Sequence, residues 1–148
     1  MIYVYFFKLS KLIYFLTLSR FIYSIDTLEN LSDLKWKYRI LIISYTQNEI
    51  YLKEKMNSIS KYGQEIIDRD LIIFYKNNEN IYYNSILVPK TLKESIISLT
   101  SQYQIDRKMI LIGKDGGVKK VFSSSDQIHE VFDLIDTMPM RKIEMRRK

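Results

Sequence analysis

The chain of 148 residues contains no cysteine, so it has no disulfides, thiolate metal sites or sulfur nucleophiles. Few other groups are placed for chemistry. His129 is the only histidine. With no cysteine or paired carboxylates beside it, His129 predicts a solvent-facing helix residue rather than a metal ligand. No cofactor is implied. Asp68, Asp70, Asp133 and Asp136 mostly fall at element ends or on polar faces, where a carboxylate is ordinarily solvated. Gly113-Lys114-Asp115-Gly116-Gly117 has the glycines of a phosphate loop. It lacks the GxxxxGK[ST] spacing, however, and is followed by a strand-like run instead of a helix. A tight turn with Lys114 and Asp115 at a polar tip fits better.

Two arginines and a methionine pair complete the set. Arg39 and Arg69 each open an apolar run, and an arginine carried into a core needs a partner. They either pair with acids such as Asp33, Asp70 or Asp136 and close the sheet edge, or line a pocket at the strand ends; the first reading is preferred. Met138-Pro139-Met140-Arg141 sets two flexible methionines astride a helix-breaking proline, ahead of a basic tail. Such a segment suits an adaptable docking surface, or methionines plugging a core gap beside a solvated tail; the second is preferred. The candidate pocket or interaction residues are therefore Arg39, Arg69, Asp70, Lys114, Asp115, Met138, Met140 and Arg141, and no residue is assigned a catalytic or metal-binding role.

These residues hang on alternating strands and helices. Arg39 to Tyr45 is a continuous apolar run, as a strand covered on both faces requires, and Leu71 to Tyr75 is a second. Between them Leu52, Met56 and Ile59 line one face of a helix predicted from about Gln47 to Tyr62, with Gly63 as its stop. Two strands joined by a helix pair in parallel through a right-handed crossover. Lys76 to Tyr83 is polar and Asn-rich and predicts a loop. A helix follows from about Thr91 to Tyr103, where Thr91 and Glu94 have capping-box spacing. Two strand-like runs, Lys108 to Gly113 and Val118 to Phe122, flank an Asp-Gly turn and predict a hairpin. The last helix begins near Ser124, with Gln127 completing a second capping box. Pro139 ends or redirects it by holding Met138 out of helical geometry. The order βαβ, helix, β-hairpin, helix is the thioredoxin-like arrangement: an α/β fold with a four-stranded mixed sheet and helices on both faces.

The N-terminus predicts export. Lys8 and Lys11 precede the apolar run Leu12 to Leu18, and Ser24 supplies a small residue at a cleavage position. Residues 1–24 are read as a signal peptide or hydrophobic segment, and residues 31–147 as the folded domain, in a periplasmic, secreted or envelope-associated protein. The net charge of +6 is concentrated at the two ends. Met1 to Ser24 holds basic residues and no acid, and Arg141 to Lys148 is basic apart from Glu144, while the stretch between is close to neutral. A body without a basic stripe argues against nucleic acid as a partner.

Several segments resemble a known family. They are Leu34-Lys35-Trp36-Lys37-Tyr38-Arg39, Asp68-Arg69-Asp70-Leu71, the run Leu111 to Lys119 (LIGKDGGVK), and Ile135 to Arg141 (IDTMPMR). In this order and separation they are similar to domain of unknown function 4174, a peroxiredoxin-like, thioredoxin-fold domain of exported bacterial proteins and of sushi-repeat-containing extracellular proteins. The resemblance implies that fold and export; a link to peroxide or thiol chemistry is a fold analogy. A thiolate of that kind sits where the first strand meets the first helix, because a helix N-terminus stabilises negative charge. Here the junction reads Tyr45-Thr46-Gln47-Asn48, with Thr46 as the expected cap, and Tyr103 to Met109 holds no proline to supply a cis peptide before the hairpin. Cysteine-dependent redox activity is excluded. The expected role is a non-catalytic binding or structural domain with a protein partner at the cell envelope. The alternatives are an enzyme or redox-associated factor using non-cysteine groups at the strand ends, and membrane contact through the N-terminal segment or basic tail.

Overall fold

The computed structural model describes residues 28–45, 49–78, 80–103, 108–123 and 127–147. The expected N-terminal leader, the Thr46 cap and Ser124 lie outside them. Strands β1 (Arg39–Ser44) and β2 (Leu71–Lys76) pair in parallel, Arg39 beside Leu71 and Ile42 beside Phe74. β5 (Lys108–Ile112) runs antiparallel to β1 on its other side, and β6 (Val118–Ser123) closes the hairpin. With β3 (Ile81–Tyr83) and β4 (Ile86–Leu87), the sheet order is β4-β3-β2-β1-β5-β6.

The sheet is therefore six-stranded and mixed, where four strands were expected. The two additional strands occupy the end of the stretch read as a loop and the residues beyond it. Each is too short to show a period, but Tyr83 pairs with Ile86 across Asn84 and Ser85, which both take positive φ (47° and 66°), the geometry of a primed hairpin turn.

Six helical segments accompany the sheet among the described residues: a 3-10 turn (Leu31–Leu34), α1 (Glu49–Ser60), α2 (Gly63–Asp68), α3 (Lys90–Ser101), α4 (Ile128–Thr137) and α5 (Pro139–Arg146). Gly63 does follow a helix, but it opens α2 rather than a loop. α3 starts one residue before Thr91, with Pro89 at its N-cap and no side-chain cap. The capping box of α4 joins Gln127 to Glu130, so Gln127 is the cap itself and not the third helical residue of a box begun at Ser124.

Alternation along β1 divides the interior. Leu41 and Ile43 face α1 and α4 through Leu52, Ile59, Val131, Phe132 and Ile135. Ile40 and Ile42 face α3 and the 3-10 turn through Leu92, Ile96, Leu31 and Leu34. All six residues of β1 are buried, as a central strand between two helical layers requires. Among the described residues no helix is long and apolar enough to cross a membrane.

Candidate functional site

Because β1 and β2 are parallel and β5 opposes β1, the first residues of β1 and β2 share one pole with the last residue of β5. The ends of α2 and α4 and the whole of α5 gather there as well. Arg39 opens β1 at 1 % exposure, and its guanidinium donates to Glu144 Oε2 at 3.1 Å, to Glu144 Oε1 at 3.3 Å and to the Arg69 carbonyl at 2.8 Å. Lys114, just beyond β5, donates from Nζ to Glu144 Oε1 and to Asp70 Oδ2, each at 2.7 Å. A second group abuts the first. Asp136 accepts from Arg69 at 2.5 Å and from Arg141 Nε at 3.0 Å. Arg141, 3 % exposed, also donates to the Asp68 carbonyl at 2.6 Å and to the Asp68 carboxylate. Arg69 lies over the Phe132 ring, 4.7 Å from its centroid.

Local backbone explains this convergence. Asp70 takes a left-handed φ of 47°, which aspartate tolerates, and its carbonyl accepts from the Arg39 amide at 2.8 Å. Met138 is extended between α4 and α5, and Pro139 occupies the first turn of α5, where a missing N–H is harmless. Pro139 thus redirects the chain as expected, and the residues beyond it form a helix that buries Arg141 and leaves most of its other side chains in solvent. Arg141 and Glu144, three residues apart on α5, both turn inward.

The electrostatics are settled within the cluster. Arg39, Arg69, Lys114 and Arg141 stand against Asp68, Asp70, Asp136 and Glu144. Burial pushes the Glu144 carboxyl up, but hydrogen bonds from Lys114 and Arg39, reinforced by their charges, outweigh it and hold it below the usual range. Burial likewise lowers Arg141, and Asp68 and Asp136 more than reverse that. A cleft of about 300 Å³ lies beside this cluster, lined by Arg39, Lys114, Asp115, Met138 and Met140 among others. Its two innermost cations are already held by carboxylates. Asp115 instead pairs with Lys119 at 2.6 Å and accepts from the Gly117 amide at 3.0 Å, and this bonding lowers its carboxyl. The turn needs glycine at position 116, where φ is +80° and the Lys35 side chain fills the space a Cβ would take.

The structure thus brings Arg39, Lys114, Asp115, Met138 and Met140 to one cleft, ties Asp70 to it through Lys114, and puts Arg69 and Arg141 in the adjoining pairs. Asp33 is used as a cap, accepting from the Asn30 amide at 2.9 Å, and is not an arginine partner. Glu144 and Asp68 were missed as members of the network. Glu144 lies among basic residues, and its link to Arg39 spans 105 positions, so only the shared helix face of Arg141 and Glu144 could have signalled it.

Among the described residues, the opposite pole, where β1 ends, carries no comparable group. Ser44 is buried and its Oγ has no hydrogen-bond partner among the described residues. Tyr45 packs on Tyr51 with ring centroids 5.0 Å apart, and burial pushes its phenol up to about 12, helped by Tyr51. His129 is exposed, with Nε2 3.0 Å from the Tyr62 hydroxyl. Among the described residues no group of histidines and carboxylates is arranged to hold a metal ion. A larger cleft of about 630 Å³ lies between the 3-10 turn, α3 and the Gly113–Gly117 turn, lined by polar residues such as Asn30, Ser95 and Gln102 together with apolar Ile40, Leu99 and Val118.

The strand pairing, the helices on both faces and the sequence segments at the charged pole agree with one family match, to Domain of unknown function (DUF4174), over residues 30–144. The chain belongs to the DUF4174 family. No curated protein matches it. Among solved structures this DUF4174 domain is similar to thioredoxin peroxidase I of Plasmodium yoelii, with a TM-score of 0.52 and 14% identity over 76% of this chain and 79% of that one. It is also similar to the reduced N-terminal domain of PilB from N. meningitidis, with a TM-score of 0.44 and 21% identity over 76% and 92% of the two chains. The first likeness shows a thioredoxin-like α/β fold for the DUF4174 domain, and at such identity the fold alone.

Proposed function

We propose that this DUF4174 domain is a non-redox, exported thioredoxin-like module that binds a partner or acts structurally at the cell envelope. One observation carries the reading: a fold similar to that of a thioredoxin peroxidase is built here without any cysteine. At the end of β1, where a thiolate would gain from a helix N-terminus, the described side chains are Ser44 and Tyr45. A serine hydroxyl and a phenol pushed to about 12 supply no nucleophile near neutral pH. The export part of the proposal rests on the charged and apolar order of residues 1–24.

An enzyme using the arginines at the strand ends finds less support. Its cations are each engaged by a carboxylate or a carbonyl, and they lie at the amino ends of β1 and β2, whereas ligands of open α/β sheets gather outside the carboxyl ends. The test is hydroperoxide consumption and insulin reduction by the purified chain with dithiothreitol as reductant. The expected result is no turnover above the reductant alone. Sustained turnover that scales with protein concentration would overturn the proposal.

A further inference from the structure

The surface outside the ion-pair cluster is unlike the cluster itself. Trp36, the only tryptophan of the chain, is 66 % exposed. It stands on a left-handed residue with φ of 64°, an unfavourable backbone state for a bulky side chain, and its amide donates to the Lys114 carbonyl at 2.7 Å. Lys114 in turn reaches Glu144 of α5, so the Trp36 turn and α5 flank the same lysine. With Arg141 and Glu144 turned inward, Lys142, Ile143 and Arg146 fall on the outer side of α5, and Ile143 is 49 % exposed. Lys35, Lys37, Lys142, Arg146 and Arg147 make no ion pair among the described residues. The acids of this pole, Asp68, Asp70, Asp136 and Glu144, are already neutralised by the buried cations. Against these five cations the segment leading into the Trp36 turn sets the exposed carboxylates of Glu29 and Asp33, the latter accepting from the Glu29 and Asn30 amides, so the outer surface stays cationic on balance.

We propose that this pole, formed by the Trp36 turn and the outer side of α5, docks on an anionic lipid surface. The proposal rests on the binding-module reading above and names its partner. Charge complementarity favours an anionic surface, since unpaired lysines and arginines close to a membrane each add to its attraction. The exposed Trp36, Ile143 and Met140 favour lipid over a purely electrostatic polymer, because their apolar parts gain by entering the headgroup boundary.

Trp36 reports on this surface directly, since no other tryptophan contributes to the emission. The experiment titrates the full chain with phosphatidylglycerol vesicles and with phosphatidylcholine vesicles and follows tryptophan fluorescence. The expected result is a blue shift with phosphatidylglycerol, quenching when its chains are brominated, and loss of both in high salt. The triple variant Lys142→Gln, Arg146→Gln, Arg147→Gln should bind roughly a hundredfold more weakly. Unchanged emission, an equal response to phosphatidylcholine, or an equal shift with single-stranded RNA would overturn the proposal. These outcomes are separate from peroxide turnover, so either idea fails without the other.

Discussion

Arg141 and Lys90 are both helical cations paired with carboxylates, and their surroundings make them unequal. Arg141 is 3 % exposed and holds α5 to Asp136 and Asp68, whereas Lys90 meets Glu94 at 3.9 Å with both side chains in solvent. Removing one partner of a buried pair leaves charge uncompensated, while an exposed pair contributes little. Arg141→Ala should therefore lower unfolding stability by about 3 kcal/mol, and Lys90→Ala by less than about 0.5 kcal/mol, in urea denaturation. Equal effects would show that the pole adds no special stability. The need for partners was legible in the sequence at Arg39 and Arg69, because each introduces an apolar run. The partner of Arg39 was not, because Glu144 is distant along the chain and locally resembles part of a basic tail. Ion pairs across a fold leave no spacing signal, unlike the capping box of Gln127 and Glu130.

At the scale of elements, long apolar runs were readable and short polar ones were not. β1, β2 and the hairpin of β5 and β6 follow from continuous hydrophobic stretches and an Asp-Gly turn. β3 and β4 leave no signal because a strand of two or three residues has no period to display, and the asparagines before β3 have the composition of a loop. Their turn places Ser85 at φ 66°, where a side chain is strained and glycine is not. Ser85→Gly, which creates an Asn-Gly pair at this primed turn, should raise stability by about 0.5–1 kcal/mol, read from the urea midpoint. A loss of stability would argue against the β3–β4 hairpin as described. Pro139 illustrates the same limit. Its helix-breaking chemistry was plain, but its suitability for the first turn of a new helix emerges only once α5 is seen to be held by Arg141 and Glu144.

The whole molecule has two unlike poles. Where a thioredoxin-like domain would place its thiolate, this one ends β1 in a buried serine followed by a tyrosine; at the other pole its charged side chains bind one another. Under the function proposed above, this second pole serves as a structural clamp of ion pairs. Glu144 carries it, since its carboxylate lies between Arg39 and Lys114 and is held below the ordinary value of 4.5. A carboxyl depressed by folding adds stability that is fully present above its unfolded value and is lost as pH falls through the folded one. The decisive measurement is the urea unfolding free energy of the wild type and of Glu144→Gln from neutral pH down through the carboxylate range. Glu144→Gln should be less stable by about 2–3 kcal/mol at neutral pH, and the gap should narrow below about pH 4.5 as the wild type loses its clamp. Equal stability at neutral pH, or a gap that stays constant on acidification, would contradict the clamp.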